Sequence, residues 1–136
     1  MANPQNNDGA GDGPKGRLTQ LVRTMPRDTN PMGDMFGGWL LSQMDLAGGT
    51  FVEYRARGRT ATVAIKEMTF HERVFVGDLL ACYCETLREG RTSITVKVEA
   101  WVLARANLET KIKVTEGVFT YVAVDSEGRP RPLPPQ

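Results

Sequence analysis

The 136 residues suit one domain of ordinary size, and two independent cores are not expected at this length. The 17 Lys and Arg residues nearly balance the 16 Asp and Glu residues, which gives a formal net charge of +1. This balance argues against a dedicated nucleic-acid binder and against an acidic, disordered chain. No run of about 18 apolar residues is present, so the sequence predicts no membrane span.

Both ends of the chain differ in composition from its middle. Residues 1–16 are rich in Asn, Gly, Asp and Pro, which argues against a signal peptide and predicts a disordered tail. Residues 129–136 are rich in Pro and predict an extended C-terminal tail, which leaves 17–128 as the folded domain. Cys82 and Cys84 lie two apart on a predicted strand, too far apart for a disulfide. We therefore expect reduced thiols and a cytoplasmic location.

The predicted elements follow one another as a strand, a long helix and four further strands. Residues 17–25 predict the first strand, and the turn-forming residues 26–34 predict a loop. Apolar residues recur at three- and four-residue spacing from Phe36 to about Ala56, which predicts one helix. The later strands are predicted at 60–70, 79–87, 91–104 and 114–124.

This order predicts an α+β fold in which an antiparallel sheet wraps one apolar helix, and it excludes a βαβ dinucleotide-binding layout. From Met35 to Val52 the only charged residue is Asp45. A helix this apolar is buried on more than one side, and a single sheet face does not cover it. We therefore expect a second copy of the chain to cover it in a homo-oligomer.

Asp45 is the most informative candidate for chemistry because no Lys or Arg lies three or four residues from it on the apolar stripe of the helix. A buried carboxylate without a local partner is costly and occurs mainly at functional sites. The competing interpretation is an Asp that is paired through a tertiary contact or that faces an interface.

Two weaker candidates precede Asp45. Gly37 and Gly38 open the predicted helix, where they let a ligand approach N–H groups that can stabilise an oxyanion. The alternative is a loose helix start that packs closely against a strand. Asn30 could orient a water or a carbonyl, and the alternative is an Asx-turn ahead of Pro31.

Other active-site templates find no support in the sequence. No serine lies in a nucleophile elbow, and there is no P-loop. The only histidine, His71, does not make a convincing zinc site with the two cysteines, so we expect no metal. Trp39 and Trp101 do not interleave with basic residues, as the aromatic residues of a nucleic-acid platform do.

The segment from Met25 to Asp45, MPRDTNPMGDMFGGWLLSQMD, resembles the signature of the hotdog-fold acyl-CoA thioesterases, and in particular of their YciA-like acyl-CoA hydrolases. The resemblance continues through VAIKEMTFHERVFVGD, TSITVKVEAWV and FTYVAVDSEGRPRPLP, and it covers nearly the whole chain after residue 17. It implies a hotdog fold, with a sheet wrapped around one long central helix. It also implies a dimer with one continuous sheet, often within a trimer of dimers, and active sites at the dimer interface.

The resemblance also assigns roles to individual residues. It places the catalytic carboxylate on Asp45 and the catalytic amide on Asn30, supplied by different subunits. It places the glycine pair of the loop-to-helix junction on Gly37 and Gly38, where substrate binds. Coenzyme A is expected along exposed strand positions, which correspond to Val63, Ala64, Ile65, Ser93, Ile94 and Thr95.

The implied reaction is hydrolysis of an acyl-CoA thioester, with Asp45 as general base or as nucleophile. No cofactor is expected, because CoA is part of the substrate and product. Arg57, Arg59 and Arg91 are candidates for contact with the CoA phosphates. Two alternatives remain: a hotdog dehydratase or hydratase, for which His71 is a poorly placed candidate, and a non-catalytic acyl-CoA sensor, which needs no buried carboxylate.

Overall fold

The computed structural model describes residues 13–103, 107 and 109–136, so most of the predicted N-terminal tail lies outside the described residues. Five strands form one sheet, and a single long helix lies against it. The elements are β1 (Arg17–Arg23), a 3-10 turn (Pro26–Asp28), α1 (Gly37–Ala56), β2 (Thr60–Phe70), β3 (Leu79–Glu89), β4 (Ser93–Leu103) and β5 (Lys111–Ala123). The predicted α+β order of one strand, one helix and four strands is confirmed.

The boundaries of the elements differ little from those predicted. The first strand stops at Arg23 because the N–H and the hydroxyl of Thr24 both donate to the carbonyl of Asp78, at 3.0 and 2.9 Å. The last strand begins three residues early because Lys111 already pairs with Leu103 in the β4–β5 hairpin. Backbone pairing in a hairpin can extend a strand beyond its apolar residues, and the apolar pattern alone does not show that extension.

The sheet has the order β1-β3-β4-β5-β2, with every neighbouring pair antiparallel. The helix joins the two edge strands along the chain and contacts all five strands. This is the expected sheet wrapped on a central helix. One edge of the sheet is β2, where Val63 and Ile65 are 57% and 38% exposed.

The core lies between α1 and the inner face of the sheet. Its strand side is clearest in β4, whose alternate residues are at most 4% exposed: Ile94, Val96, Val98, Ala100 and Val102. The far side of α1 stays open, since Leu46 and Tyr54 are 58% and 82% exposed. One chain therefore covers only part of its apolar helix. Among the described residues, no helix is long and apolar enough to cross a membrane.

The described end of the N-terminal segment touches the outer face of the sheet. The backbone N–H of Lys15 lies 3.3 Å from Oε1 of Glu99, which also accepts a hydrogen bond of 2.8 Å from the indole of Trp101. Glu99 is only 2% exposed, and the ammonium groups of Lys97 and Lys113 lie 3.6 and 3.7 Å from its other oxygen. These contacts satisfy a buried carboxylate that would otherwise be costly.

The Pro-rich C-terminal residues return to the sheet instead of leaving it. The backbone N–H of Arg131 donates to the carbonyl of Ala123 at 2.9 Å. Its guanidinium donates to the carbonyls of Val124, at 2.9 Å, and of Ala56, at 3.1 Å. The second of these bonds satisfies a carbonyl in the last turn of α1, where helical partners run out. The segment therefore ties the end of the helix to the sheet.

Replacing Arg131 by Met keeps much of the side-chain stem but removes these donors. We expect Arg131→Met to lower the free energy of unfolding by about 1–3 kcal/mol, because it leaves partly buried carbonyls without partners. Urea unfolding followed by circular dichroism measures the change. Arg129→Met is the control, since the ion pair of Arg129 with Glu127 is largely exposed and contributes at most about 1 kcal/mol. Equal losses in both variants would contradict this role of Arg131.

Candidate active site

Asp45 lies in the third turn of α1, partly buried, where the helix passes β2 and β5. Its Oδ1 accepts a hydrogen bond of 2.8 Å from the hydroxyl of Thr62 on β2. The hydroxyl of Tyr121 on β5 lies 3.1 Å from the same oxygen. Its side-chain partners among the described residues are thus neutral hydroxyls. The alternative interpretation of a tertiary contact is therefore correct in part, but none of the described residues forms an ion pair with Asp45.

Tyr121 reaches Asp45 through space that Gly48 leaves open. A Cβ at position 48 would lie 2.8 Å from Cζ of Tyr121 and still closer to its hydroxyl, which real Cβ atoms do not tolerate. Tyr121 is 2% exposed, and burial, followed by the charge of Asp45, raises the pKa of its phenol far above the usual value. The phenol therefore stays protonated and donates to Asp45.

Thr62, Tyr121 and the close contact at Gly48 are not among the residues that the sequence pattern singles out. Gly48 gave a usable signal, because glycine inside a helix costs about 1 kcal/mol relative to alanine and therefore needs a packing reason. The other two gave none, since Thr and Tyr are ordinary on strands. Their meeting at Asp45 depends on the β2–β5 register, in which Thr62 pairs with Tyr121.

A β-bulge lies beside this contact on β2. Thr62 and Ala64 pair with the neighbouring β5 residues Tyr121 and Thr120, so Val63 is the extra residue between them. Bulges redirect side chains and are frequent next to active sites. The three predicted CoA-binding positions of β2, which begin at Val63, therefore directly follow the residue that holds Asp45.

The other three predicted CoA-binding positions, on β4, lie across β5 from those on β2. Ile94 pairs with Tyr121 and is 2% exposed, because strand alternation turns it into the core. Thr95 is 7% exposed, and its hydroxyl lies 3.2 Å from that of Thr120. Ser93 is partly buried at the start of the strand. The expectation that these are exposed positions is therefore wrong for Ile94 and Thr95 within one chain.

Gly37 and Gly38 form the first turn of α1, as predicted, and both are exposed. A Cβ at Gly37 would come no nearer than 3.8 Å to the ring of Phe70, and one at Gly38 would meet nothing within 4 Å. Packing within the chain therefore does not require glycine here. The N-cap, Phe36, provides no side-chain acceptor, and the first turn holds no acidic residue. The helix start can therefore accept an anionic or polarised oxygen.

Asn30 forms the Asx-turn that was the competing interpretation. Its Oδ1 accepts hydrogen bonds from the backbone N–H groups of Met32, at 2.9 Å, and Asp34, at 3.1 Å. The loop is held further by an ion pair of 2.9 Å between Asp34 and Arg73. The described hydrogen bonds of Asn30 all stay within its loop, and none joins it to Asp45. A catalytic part for Asn30 rests on its side-chain NH2 group, the donor that the turn does not use.

The three candidate arginines make their described contacts with groups other than Asp45. Arg57 is the left-handed C-cap of α1, about 18 Å along the helix axis from Asp45, and Arg59 donates to the carbonyl of Ser126 at 3.3 Å. Arg91 accepts a hydrogen bond from Leu133 through its backbone carbonyl. These three arginines lie outside the Asp45 contact itself.

No metal centre accompanies Asp45 in the part of the chain that the structure describes. Within residues 13–103, 107 and 109–136, no group of three His, Cys, Asp or Glu side chains is placed to hold an ion. His71 follows β2 on the exposed surface, where its backbone N–H donates to Val114. The dehydratase alternative therefore lacks a histidine beside the carboxylate.

A groove of about 560 Å³ lies between β1, the second half of α1 and the C-terminus. Arg17, Phe51, Tyr54 and Glu89 line part of it, and none of its lining residues is a predicted site residue. The position of this groove therefore does not identify the active site. The contacts of Asp45 carry more weight, because they bring a charge and two oriented donors together.

Comparison with known proteins points to one family. The family model "Thioesterase superfamily" matches residues 32–107. Acyl-CoA thioester hydrolase YciA of Salmonella typhimurium is 46% identical over 125 residues, which cover 90% of this chain and 94% of the relative. The YciA enzyme of Escherichia coli K12 is 46% identical over 123 residues, or 89% and 93% of the two chains.

Two solved structures agree closely with the fold. A hexameric thioesterase from Yersinia pestis superposes with a TM-score of 0.86 at 46% identity, over 90% of this chain and 99% of its own. HI0827, described as a hexameric broad-specificity acyl-coenzyme A thioesterase, superposes with a TM-score of 0.90 at 44% identity. That match covers 96% of this chain and 90% of the other.

The contact between Gly48 and Tyr121 predicts opposite effects for two neighbouring glycines. Gly48→Ala should lower the free energy of unfolding by about 1–3 kcal/mol, since its Cβ overlaps the tyrosine ring. Gly49→Ala should raise it by about 0.5–1 kcal/mol, because its Cβ meets the ring at 3.9 Å and alanine favours the helix. Paired urea melts measure both. Two stabilised variants would mean that Tyr121 does not occupy this space.

Proposed function

This chain belongs to the thioesterase superfamily, and within it to the YciA-type acyl-CoA thioester hydrolases, so we propose that it hydrolyses acyl-CoA to a carboxylic acid and free CoA. The observation that carries the proposal is the setting of Asp45. Two neutral hydroxyls hold its Oδ1, and no hydrogen bond within the described residues reaches its Oδ2. A carboxylate held in this way has one oxygen oriented for reaction.

The chemistry has two routes that use the same oxygen. In the first, Oδ2 of Asp45 takes a proton from water while the water oxygen bonds to the thioester carbonyl carbon. The carbon–sulfur bond then breaks, and the sulfur leaves with the electron pair and receives the proton. In the second, Oδ2 itself attacks the carbonyl carbon and expels the thiolate, and water then hydrolyses the resulting mixed anhydride.

The N–H groups at the start of α1 are the proposed stabilisers of the oxyanion. Gly37 and Gly38 lie seven or eight residues before Asp45, so about 10 Å of helix axis separates them from it. Oxyanion donors act within about 3 Å of the oxygen they stabilise. One chain therefore does not bring its own helix start and its own Asp45 to the same carbonyl. We propose that one copy supplies Asp45 and another supplies Gly37, Gly38 and Asn30.

A homodimer completes this site, and we propose that it joins the two sheets through β2. Val63 and Ile65 are exposed on that edge strand, and Leu46 is exposed on the open side of α1. The Yersinia pestis thioesterase and HI0827 are both hexameric, which supports a trimer of dimers for this chain.

We further propose a path for CoA along the two strands and a cytoplasmic location for the protein. CoA would pass along Val63–Ile65 on β2. The segment Ser93–Thr95 on β4 would contribute largely through Ser93, since Ile94 and Thr95 are buried. Its phosphates would meet arginines such as Arg57, Arg59 and Arg91. The proposed reaction needs no metal or further cofactor. Reduced, buried thiols at Cys82 and Cys84 support work in the cytoplasm.

Thiol release from acyl-CoAs of two to eighteen carbons, and from one aromatic acyl-CoA, tests the proposal. We expect turnover by the wild type and a fall of about 10² or more in Asp45→Asn, the range typical of general acid–base catalysis. Glu127→Gln is the matched control, because it converts an exposed carboxylate in a turn to an amide.

Two other outcomes of this assay would contradict parts of the proposal. Turnover that survives in Asp45→Asn would retain the thioesterase but remove Asp45 from its centre. Binding of acyl-CoA without release of CoA by the wild type would replace the enzyme with a sensor.

A further inference from the structure

Tyr121 contacts Asp45 at two points. Its hydroxyl lies 3.1 Å from the backbone carbonyl of Asp45 and 3.1 Å from Oδ1 of the side chain. Thr62 donates to the same Oδ1 at 2.8 Å. The single phenolic proton of Tyr121 is shared between the backbone carbonyl and Oδ1. The side-chain hydrogen bonds to the carboxylate therefore fall on Oδ1, and among the described contacts Oδ2 receives none.

The two donors differ in how firmly they are fixed. Thr62 is exposed on the edge strand, where its hydroxyl can rotate. The ring of Tyr121 is 2% exposed, stacks on Phe119 with ring centroids 6.3 Å apart, and lies against Gly48. Its hydroxyl therefore has a fixed position beneath α1. A fixed donor restricts the rotation of a carboxylate about its terminal torsion, which is otherwise broad.

We propose that Tyr121 is a positioning residue, whose hydroxyl holds Oδ1 of Asp45 so that Oδ2 alone meets the water or the thioester. The inference rests on the proposed thioesterase function and adds a residue that acts through Asp45. Holding a reacting group within about 0.5 Å of its productive place is what such a neighbour contributes. Tyr121 does not touch the substrate in this account, so substrate affinity does not depend on its hydroxyl.

Tyr121→Phe removes the hydroxyl and keeps the stacked ring. We expect kcat for acyl-CoA to fall about tenfold, as for loss of a hydrogen bond to a charged group, while KM stays at the wild-type value. Tyr83→Phe is the control, because it removes a phenolic hydroxyl from β3 that makes no described contact with Asp45. A folded Tyr121→Phe variant with wild-type kcat would overturn the proposal.

A double-mutant cycle separates positioning from a merely structural role. If Tyr121 acts through the carboxylate, adding Tyr121→Phe to Asp45→Asn leaves the residual rate unchanged. If it only supports the helix, kcat falls by the same factor in both backgrounds, and the proposal is wrong. A wild type that releases no CoA would overturn the proposed function and this inference together, whereas an active wild type beside an unaffected Tyr121→Phe overturns this inference alone.

A second pair of variants compares a displaced hydroxyl with an undisturbed one, and neither variant removes it. Gly48→Ala forces the ring of Tyr121 away from Asp45, so kcat should fall with KM unchanged, as in Tyr121→Phe. Gly49→Ala clears the ring and should keep the wild-type kcat. Melting temperatures confirm that each variant is folded at the assay temperature. Equal kcat values in the two alanine variants would contradict the assigned role of Tyr121.

Discussion

Oδ1 of Asp45 connects the helix to two strands of the sheet by side-chain hydrogen bonds. It links α1 to β2 through Thr62 and to β5 through Tyr121. Three features permit these contacts. Glycine at position 48 admits the tyrosine ring, the β2–β5 register places Thr62 opposite Tyr121, and a bulge at Val63 follows directly. Because the glycine costs helix stability and the bulge interrupts the sheet, their coincidence beside one carboxylate argues for a functional site.

The geometry of α1 then determines how many chains a site needs. A straight helix rises about 1.5 Å per residue, which separates its first N–H groups from the carboxylate by about 10 Å. Acyl transfer requires a nucleophile or base and an oxyanion donor around a single carbonyl. The uncovered side of α1, with Leu46 at 58% exposure, and the exposed edge β2 provide surfaces for a second chain. The distance along the helix and the exposed apolar residues of α1 and β2 thus both favour a site formed by two chains.

Much of the fold could be predicted because hydrophobic periodicity is a local property. Alternation in β4 and the apolar spacing of α1 were sufficient to place both elements. Asp45 was conspicuous for the same reason, as the one charge in an apolar stretch. Its partners were not, since strand register is a long-range property that local pattern does not determine. Thr62 and Tyr121 therefore appeared only in the structure.

The differences between expectation and structure have equally physical sources. The resemblance predicts that Ile94 and Thr95 are exposed, yet alternation places Ile94 in the core, and Thr95 is 7% exposed with its hydroxyl beside that of Thr120. Asn30 carried two interpretations, and its Oδ1 bonds show the turn, which leaves only the NH2 group for a ligand. Pro-rich composition predicts an extended C-terminal tail, but composition does not report the hydrogen bonds by which Arg131 holds that segment to the end of β5 and to the last turn of α1.

The most direct test of a site shared between two chains is recovery of activity in mixed oligomers. Asp45→Asn and Asn30→Ala chains, each inactive alone, are unfolded together, refolded and assayed for thiol release. A site shared between two chains predicts about a quarter of the wild-type activity, since half of randomly paired dimers are mixed and each mixed dimer has one intact site. Mixed dimers that are verified by mass spectrometry and remain inactive would contradict it, as would an Asn30→Ala chain that is fully active alone.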